Sequence, residues 1–410
     1  MRIGVLTSLY PSPERPFFGI FAERKWTGMA ARGHEVRVVV PVPWAPRILA
    51  PVLSGERALH ARVPSRETRS GIPVARPRYL HVPRRAAGNA RRFAEAARAA
   101  FTGGSDARPD VVVCDYAWPA AAAVAPLAAD GLPAVVNGRG SDVLQVRDVP
   151  DLRGLLAAGL TDAAAVTAVS QDLLDAMVEL GGARTLAALT PNGVDADHFR
   201  PGPRAEARAR LGLAFEGELV LAVGHLIERK DPLLTLTAFE RAGRAGARLA
   251  FVGAGPLAGA VEEAARERGL SERVQLMGER PPEELVDWYR AADVLVLTSS
   301  REGRPNVVLE ALSAGCPVLA TNAGGTGELL TDPSMLATTR DPEVLGAMLS
   351  ALLDDPPPPE RLRSSVSRLT WERSLDALEG VLDAVARGDS GDPDDGIACR
   401  RPEAGHDSER

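Results

Sequence analysis

Short apolar runs alternate with longer stretches of helical periodicity along most of the chain. In the first half, the runs at residues 3–6, 36–40, 111–114, 134–136 and 165–168 are typical of buried strands. In the second half, similar runs predict strands at 219–223, 248–252, 273–277, 294–297 and 317–321. Because helical patterns separate the runs, each half is predicted to form a doubly wound parallel α/β sheet.

The helical stretches of the second half indicate where a second domain begins. They predict helices at 204–211, 231–242, 256–268, 282–291, 305–314, 326–330 and 342–353. Pro201 and Pro203 indicate a linker, and 410 residues exceed what one hydrophobic core usually supports. Two domains are therefore predicted, at 1–200 and 204–370, followed by a helix at 371–387. The tail at 388–410 lacks apolar periodicity and is predicted to be disordered.

Composition narrows the class of protein. With 45% apolar and 25% charged residues the chain is typical of a globular protein, and its net charge of -6 argues against a general nucleic-acid binder. Its three cysteines lie far apart without C-x-x-C spacing, so neither a disulfide framework nor a zinc site is expected, and a cytoplasmic location fits them. No signal peptide is expected, because the first apolar run is short. Prolines interrupt the Ala-rich stretch 117–136, which is predicted to be a helix leading into a strand rather than a membrane span.

Residues 56–108 are rich in arginine, and the region 44–109 is predicted to be the least regular part of the first domain. The segment holds twelve Arg against four Asp and Glu residues, a difference of +8. Such a charge run usually forms a solvated face. The alternative is a patch that binds an anionic membrane surface or a phosphorylated acceptor.

The most informative stretch runs from Ser299 to Glu328. It places two carboxylates, Glu302 and Glu310, with seven residues between them across the start of a helix that begins near Pro305. Since a buried strand precedes this helix, its N-terminus should present unpaired N–H groups at the carboxyl edge of the sheet, where a nucleotide diphosphate can bind. We expect Glu310 to accept hydrogen bonds from a ribose diol and Glu302 to contact a sugar hydroxyl. The alternative is that both are solvated charges.

The segment at 302–318 reads EGRPNVVLEALSAGCPV, which closely resembles the E-x7-E signature of the retaining GT-B glycosyltransferases of family four. Further matches are residues 6–43, GRGSDV at 138–143, TAVSQDL at 167–173, PNGVDADHFRP at 191–201, VGHLIERKDP at 223–232 and VGAGPL at 252–257. Their order and spacing follow that family from residue 1 to about 375. The first segment is most similar to the branch of teichuronic-acid biosynthesis glycosyltransferases.

This resemblance implies a fold and an activity. The fold would be GT-B, in which two doubly wound, Rossmann-like α/β domains face each other across a cleft and the helix at 371–387 packs back toward the first domain. The first domain would bind the acceptor and the second the nucleotide sugar. The enzyme would transfer a hexose-type sugar from a UDP or GDP donor to a glycan or lipid-linked acceptor of the cell envelope or an exopolysaccharide. Neither a metal nor a cofactor is expected.

The resemblance also implies roles for individual residues. Arg229 and Lys230 match the family's basic residues that hold the diphosphate, where fixed cations stabilise the charge of the leaving nucleotide; a surface role is the alternative. Together with Glu302 and Asp142 they form the expected catalytic set. The expected substrate-binding residues are Gly19, Arg139, Gly224, Arg280, Gly303, Asn306, Val307, Glu310 and Gly324.

Three candidates in the first domain keep more than one interpretation. Many relatives carry histidine where this chain has Arg139, and an arginine here suits an anionic donor or acceptor. Asp142 is expected to orient the acceptor or Arg139, or else to form a structural salt bridge. Gly19 is expected to let backbone approach a phosphate or the acceptor, or else to be a plain turn glycine.

Two motifs resemble those of a metal site and of a dinucleotide-binding site. Asp195 and Asp197 have the D-x-D spacing of a metal site, but they lie in a connector beside a prolyl linker, so metal binding is not expected. Gly253 and Gly255 belong to a G-x-G-x-x-A pattern with Glu272 at the distance of a ribose-binding acid. The family has the same turn without a nicotinamide cofactor, so none is expected here.

Two rival functions remain open at the level of sequence. One is a nucleotide-sugar epimerase of GT-B shape, which would turn over a nucleotide sugar without an acceptor. The other is a non-catalytic nucleotide-sugar-binding protein. The presence of Glu302, Glu310, Arg229 and Lys230 together disfavours both.

Overall fold

The computed structural model describes residues 1–44, 55–103, 108–181 and 186–388. The chain divides into two compact units: residues 1–190 together with those from Leu375 onward, and Pro191–Ser374. The connector at 191–200, assigned to the first domain from the sequence, belongs to the second unit. Its backbone is bound there, because Val194 N–H donates to the carbonyl of Leu369 at 2.8 Å. Apart from Gly388, the tail predicted to be disordered lies outside the described residues.

Most strands of the first unit form one largely parallel sheet. The strands are β1 (Arg2–Leu6), β2 (Glu35–Val39), β3 (Val42–Pro43), β4 (Arg66–Arg69), β5 (Ile72–Ala75), β6 (Arg78–Tyr79), β7 (Val111–Asp115), β8 (Ala134–Gly138), β9 (Ala165–Ala168) and β10 (Leu186–Leu189). The sheet order is β10-β9-β8-β7-β1-β2-β5-β4; among these described strands β4 and β5 pair antiparallel and the other neighbours pair parallel. Strands β3 and β6 pair separately. The central strands read as continuous apolar runs because both faces of the sheet are buried.

Helices cover both faces of this sheet. They are α1 (Ile20–Ala31), α2 (Gly55–Arg62), α3 (Ala86–Thr102), α4 (Ala117–Ala120), α5 (Val124–Ala129), α6 (Ser141–Leu144), α7 (Pro150–Thr161) and α8 (Gln171–Gly181). The described part of the region 44–109 is more regular than predicted, since it contains the 17-residue helix α3 and the β4–β5 hairpin; residues 45–54 and 104–107 lie outside the described residues. Helix α3 forms because Phe93, Ala97 and Phe101 recur on one buried face.

The Ala-rich stretch is not the single helix that was predicted. It consists of α4, a 3-10 turn at Ala121–Ala123 and α5. Two features interrupt a single helix: the extended backbone of Trp118, which precedes a proline, and a second proline at 126. In the described ranges, no helix combines the length and the apolar character needed to cross a bilayer.

The second unit has a wholly parallel sheet. Its strands are β11 (Leu219–Val223), β12 (Arg248–Val252), β13 (Val274–Gly278), β14 (Val294–Leu297), β15 (Val318–Thr321) and β16 (Leu336–Ala337), in the order β13-β12-β11-β14-β15-β16. Its helices are α9 (Arg204–Arg210), α10 (Pro232–Arg241), α11 (Ala258–Glu267), α12 (Leu285–Ala291), α13 (Asn306–Ser313), α14 (Pro342–Asp354) and α15 (Pro359–Ser365). The helix predicted at 326–330 is instead a 3-10 turn at Gly324–Thr326.

The last helix, α16 (Trp371–Arg387), packs within the first unit along most of its length. Leu378 and Leu382 are buried in the same apolar cluster as Trp26 and Met29 of α1. The helices come so close that a Cβ on Gly28 would lie 2.6 Å from a methyl carbon of Leu375. Glycine at this position therefore permits the contact.

Candidate active site

The sheet of the second unit has a switch point between β11 and β14. The chain runs from β11 to β12 on one side and from β14 to β15 on the other, so the loops that leave β11 and β14 diverge. In open α/β sheets this place, at the carboxyl ends of the strands, is where ligands bind. The loop after β11 carries Arg229 and Lys230, and the loop after β14 carries Glu302.

The structure brings Glu302, Lys230 and Arg229 together. Oε1 of Glu302 lies 2.6 Å from Nζ of Lys230 and 2.6 Å from Oγ of Ser299, and its Oε2 lies 3.1 Å from Nη1 of Arg229. Burial alone would raise the pKa of Glu302, but Lys230 and then Arg229 outweigh it and lower this pKa. Glu302 is therefore a buried carboxylate with two cations bound to it, and the cluster carries one net positive charge.

The two loops are also joined through their backbones. Ser300 N–H donates to the carbonyl of Arg229 at 2.8 Å, and Nη1 of Arg229 donates to the carbonyl of Arg301 at 2.9 Å. The hydroxyl of Thr298 lies within hydrogen-bonding distance of the carbonyls of Lys230 and Asp231, at 3.2 and 2.9 Å. These bonds fix the position of both cations before any ligand arrives.

The backbone conformation and the close packing near the loop of Arg229 and Lys230 explain why glycines occur there. Gly224 has φ +139, and a Cβ on it would lie 3.7 Å from Cε of Lys230, so Gly224 lies beside that side chain. A Cβ on Gly253 would lie 2.0 Å from the carbonyl oxygen of Gly224, and one on Gly255 would lie 2.4 Å from that of Leu226. The G-x-G motif thus permits close packing against the loop that carries the cations.

Helix α13 begins directly after the loop of Glu302. Its first residue, Asn306, accepts a hydrogen bond from the side chain of Asn192 at 2.9 Å, which ties the connector to this helix start. The carbonyl of Gly303 accepts from Gly325 N–H at 2.9 Å, and Gly324 begins the neighbouring 3-10 turn with φ +53. Val307 is half-buried in the first turn of α13.

Glu310 lies one turn further along α13. Its Oε2 accepts a hydrogen bond from the hydroxyl of Tyr289 at 2.8 Å. Burial and the neighbouring Glu310 raise the pKa of Tyr289 well above its usual value, so Tyr289 remains a proton donor. Sequence reasoning missed Tyr289, because it comes from α12 and no local pattern connects it with Glu310.

Two arginines lie at the margin of this site. Arg280 follows β13, two strands away from β11 at the edge of the sheet, and its Nε lies 3.8 Å from Glu284. Arg304, in the same loop as Glu302, was not predicted as a site residue. Its side chain is 7% exposed and lies 3.7 Å from Glu328.

The sheet of the first unit has its own switch point, between β1 and β7. Asp115, the last residue of β7, is buried there. Its carboxylate accepts hydrogen bonds from Nε and Nη2 of Arg139 at 2.7 and 2.8 Å. The guanidinium carbon of Arg139 lies 4.6 Å from the centre of the Phe21 ring. Burial would raise the pKa of Asp115, but Arg139 and then Lys25 lower it, so Asp115 is ionised. Sequence reasoning missed Asp115, although an acidic residue ending a buried strand is a signal for it.

Asp142 has backbone partners rather than the guanidinium of Arg139. Its carboxylate accepts hydrogen bonds from the backbone N–H groups of Ala117 at 2.5 Å, Gly140 at 2.8 Å and Arg139 at 3.0 Å. Burial raises the pKa of Asp142 to about 6, against the effect of these donors. A structural salt bridge was one interpretation of Asp142, but the salt bridge with Arg139 is formed by Asp115.

Gly19 precedes α1 with φ +78. A Cβ on it would lie 2.8 Å from the carbonyl atoms of Leu9, so the turn itself requires glycine. The D-x-D motif also has a local role, since Asp195 accepts the backbone N–H groups of Asp197 and His198 at 3.2 and 3.0 Å. In the described part of the chain, no group of three His, Cys, Asp or Glu side chains is placed to hold a metal ion.

Comparison with known proteins assigns this architecture to a family. A model of the glycosyl transferases group 1 matches residues 203–368, and a model of glycosyltransferase family 4 matches residues 26–198. The Bacillus subtilis glycosyltransferase TuaC, named for teichuronic acid biosynthesis, is 30% identical over 338 residues, which cover 80% of this chain and 83% of that protein. A D-inositol 3-phosphate glycosyltransferase of Segniliparus rotundus is 35% identical over 215 residues, or 49% of this chain and 47% of that protein.

Solved structures show the same fold. Sucrose-phosphate synthase from Thermosynechococcus elongatus has a TM-score of 0.77 at 21% identity, over 95% of this chain and all of that one. Anabaena HepE, solved in complex with UDP, has a TM-score of 0.70 at 18% identity, over 94% of this chain and 100% of that one.

The chain therefore belongs to the group 1 glycosyltransferases, as the E-x7-E motif predicted, and has their GT-B fold. The protein is a glycosyltransferase, an enzyme class that takes a nucleotide-sugar donor and an acceptor.

Proposed function

We propose that this glycosyltransferase moves a hexose-type sugar from a UDP or GDP donor to a cell-envelope or exopolysaccharide acceptor, with retention of anomeric configuration and without a metal ion. The observation that carries the proposal is the ion cluster at the switch point of the second unit. Lys230 and Arg229 bind to Glu302 there at 2.6 and 3.1 Å.

The cluster has the charge that a departing nucleoside diphosphate needs. As the glycosidic bond breaks, negative charge grows on the diphosphate, and preorganised cations stabilise it most where water is excluded. Lys230 and Arg229 are largely buried and already fixed by the bonds between the two loops. When the negative charge of Glu302 is subtracted from the two positive charges, the cluster keeps one positive charge for the diphosphate.

The surrounding backbone suits the same ligand. Helix α13 begins at Asn306, so the positive end of its dipole and its first N–H groups lie beside the loop of Glu302. Tyr289 donates a hydrogen bond to Glu310 and so holds its carboxylate in place, and a carboxylate is the kind of acceptor that a ribose diol needs. Gly224, Gly303, Val307 and Gly324 are proposed to contact the donor, and Arg280 its base.

The acceptor is assigned to the first unit. Arg139 and Gly19 are proposed to contact it at the switch point between β1 and β7. Asp142 is proposed to act there by holding the backbone of Arg139 and Gly140 in place. The names of two relatives, which refer to teichuronic acid and to D-inositol 3-phosphate, both denote anionic compounds and support an anionic acceptor.

A donor panel tests this function. The full chain is incubated with UDP, GDP and ADP sugars in excess chelator, with and without envelope glycans, and release of the nucleoside diphosphate is measured. We expect acceptor-dependent release from a UDP or GDP hexose, and NMR of the product should show the anomeric configuration of the donor. Epimerised donor without an acceptor, or an inverted product, would contradict the proposal.

We further propose that the arginine-rich segment brings the enzyme to the anionic inner face of the membrane. Several of its arginines serve the fold, since Arg76 pairs with Glu67 and Arg98 with Asp130 at 2.6 Å each. Others are exposed at or just before the start of α3; they are Arg84, Arg85 and Arg91. Two apolar side chains, Leu80 and Trp44, are also exposed, and Trp44 is bound through its backbone N–H to Tyr79, the residue before Leu80. Exposed basic and apolar side chains together favour an anionic lipid surface.

Vesicle binding tests the membrane contact. Binding to anionic vesicles should fall steeply as salt is raised, because exposed charges are screened over about 10 Å at 0.1 M. The triple change Arg84→Glu, Arg85→Glu and Arg91→Glu should abolish it, whereas Arg268→Glu, in the second unit, should not. Equal binding to neutral and anionic vesicles would contradict the contact.

A further inference from the structure

Tyr289 is buried in the core of the second unit, yet its hydroxyl is bound to a residue of the proposed donor site. It is 1% exposed and lies in α12, the helix that precedes β14. A buried hydroxyl needs a partner, and this one donates a hydrogen bond to Oε2 of Glu310 at 2.8 Å. Because Glu310 lies in α13, the bond joins the helix before β14 to the helix after it.

The hydrogen bond from Tyr289 restricts where the carboxylate of Glu310 can lie. A glutamate side chain has several rotatable bonds, so without a partner it occupies many rotamers. A hydrogen bond to an ionised acceptor is among the stronger ones in proteins, and at 2.8 Å it holds the carboxylate against α12. Glu310 is therefore oriented before any ligand arrives.

The ring of Tyr289 is itself held in place by the connector. The ring of Phe199 packs edge-on against it, with the ring centres 5.9 Å apart and the planes at 61°. The connector is bound to both helices, because the carbonyl of Phe199 accepts the hydroxyl of Ser313 in α13 at 2.6 Å, and the carbonyl of Arg200 accepts Nε of Arg290 in α12 at 2.8 Å. The phenol therefore has little freedom to turn away from the carboxylate.

A carboxylate that is oriented in advance binds a hydroxyl group more selectively than a mobile one. Its rotamer freedom is already lost in the free protein, so less is lost when the ligand binds. A site that bonds a substrate hydroxyl also discriminates against an analogue without that hydroxyl, because its own polar group is then left unpaired. For a nucleotide, the 2'-hydroxyl is the group that distinguishes ribose from deoxyribose.

We propose that Tyr289 is a positioning residue that makes the donor site select ribonucleoside diphosphates over 2'-deoxyribonucleoside diphosphates. The inference rests on the ribose role proposed for Glu310. Tyr289 acts through Glu310, whose carboxylate binds the ribose, and Phe199 supports Tyr289 from the other side. Nucleotide sugars that carry deoxyribose, such as those of thymidine diphosphate, are then poor donors.

Calorimetric titration of UDP and GDP, each compared with its 2'-deoxy counterpart, measures this preference. The wild type should bind one of the two ribonucleotides about tenfold or more tightly than the deoxy compound. In Tyr289→Phe this ratio should shrink to about threefold or less, while the affinity for the deoxy compound changes by less than about twofold. A purely structural role of Tyr289 would weaken both nucleotides alike, so the ratio separates the two roles.

Three further variants locate the effect. Glu310→Gln should also lower the ratio, and adding Tyr289→Phe to it should lower the ratio little further, because residues that act as a unit are not additive. Phe199→Leu keeps the phenol but removes the ring packed on it, so it should lower the ratio in part, and it replaces Tyr289→Phe if urea unfolding shows that variant to be unfolded. Trp288→Phe is the matched control, since it removes a bond of 2.9 Å to Glu284 in the same helix, and it should keep the full ratio.

The outcomes distinguish this inference from the proposed function. If Glu310→Gln lowers the ratio and a folded Tyr289→Phe keeps it, Glu310 binds the ribose without help from Tyr289 and the inference alone is wrong. Equal weakening of both nucleotides in Tyr289→Phe would also overturn it. If Glu310→Gln keeps the full ratio, or the wild type shows no preference, the ribose role of Glu310 itself fails and the inference with it.

Discussion

Removing the ammonium of Lys230 should slow sugar transfer far more than it destabilises the protein. In Lys230→Ala, Glu302 loses its partner at 2.6 Å but retains Arg229 at 3.1 Å and Ser299 at 2.6 Å. A hydrogen bond to a charged group contributes about 1.5 to 3 kcal/mol, so with two partners left the loss of stability should be about 1 to 2 kcal/mol. The variant should therefore remain folded.

The effect on turnover is larger because the charge on the leaving diphosphate develops in the transition state. By analogy with losing one preorganised oxyanion donor, kcat should fall on the order of 100-fold to 1000-fold. Each tenfold corresponds to about 1.4 kcal/mol of lost transition-state stabilisation. Lys230→Arg keeps the charge but not the compact geometry, so it should recover only part of the rate.

Steady-state kinetics with the donor varied provide the assay, with circular dichroism and urea unfolding as checks on the fold. Arg268→Ala is the matched control, because it removes an ion pair of 3.2 Å with Glu240 in the same unit. That variant should keep wild-type kcat. A correctly folded Lys230→Ala enzyme with wild-type kcat would refute the reasoning.

Three further predictions follow from the same contacts. Glu310→Gln should mainly raise the donor KM, by the roughly tenfold or more that a hydrogen bond to a charged group provides, because the ribose changes little during reaction; a collapse of kcat at unchanged KM would contradict the ribose role. Excess chelator should leave turnover intact, and restoration of a lost activity by magnesium or manganese would show a metal requirement. Lys25→Met should stabilise the protein at pH 7 by on the order of 4 kcal/mol at most, since the pKa of Lys25 is lowered from 10.5 to about 7. Because the unfolded chain then binds the proton more tightly, wild-type stability should rise between pH 7 and 10.5, and urea unfolding should show this slope disappear in the variant.

The strands were predictable because strands buried on both faces read as continuous apolar runs. The runs at 165–168, 219–223 and 294–297 match their strands residue for residue. Strand β10 escaped prediction, since its sequence Leu186–Leu189 is Leu-Ala-Ala-Leu and looks equally helical. The 3-10 turn at Gly324–Thr326 shows the limit of helix signals, because two glycines give little intrinsic support to a longer helix.

Residues of the site could be predicted from the sequence only where a single segment of the chain contains a recognisable pattern. Glu302 and Glu310 could be found because strand, loop and helix follow one another along the chain. The binding of Glu302 to Lys230, 72 residues away, depends on β11 and β14 being neighbours in the sheet. Asp115 and Tyr289 were missed for the same reason, since each meets its partner only through tertiary packing.

The central claim is that the Glu302, Lys230 and Arg229 cluster holds the diphosphate of the donor. Calorimetric titration of UDP and of GDP, each compared with its nucleoside, tests it most directly in wild-type protein and in Lys230→Ala. One diphosphate should bind much more tightly than its nucleoside to the wild type, and this advantage should shrink by about tenfold or more in the variant. An advantage of the same size in Lys230→Ala, or no binding of either diphosphate, would contradict the account.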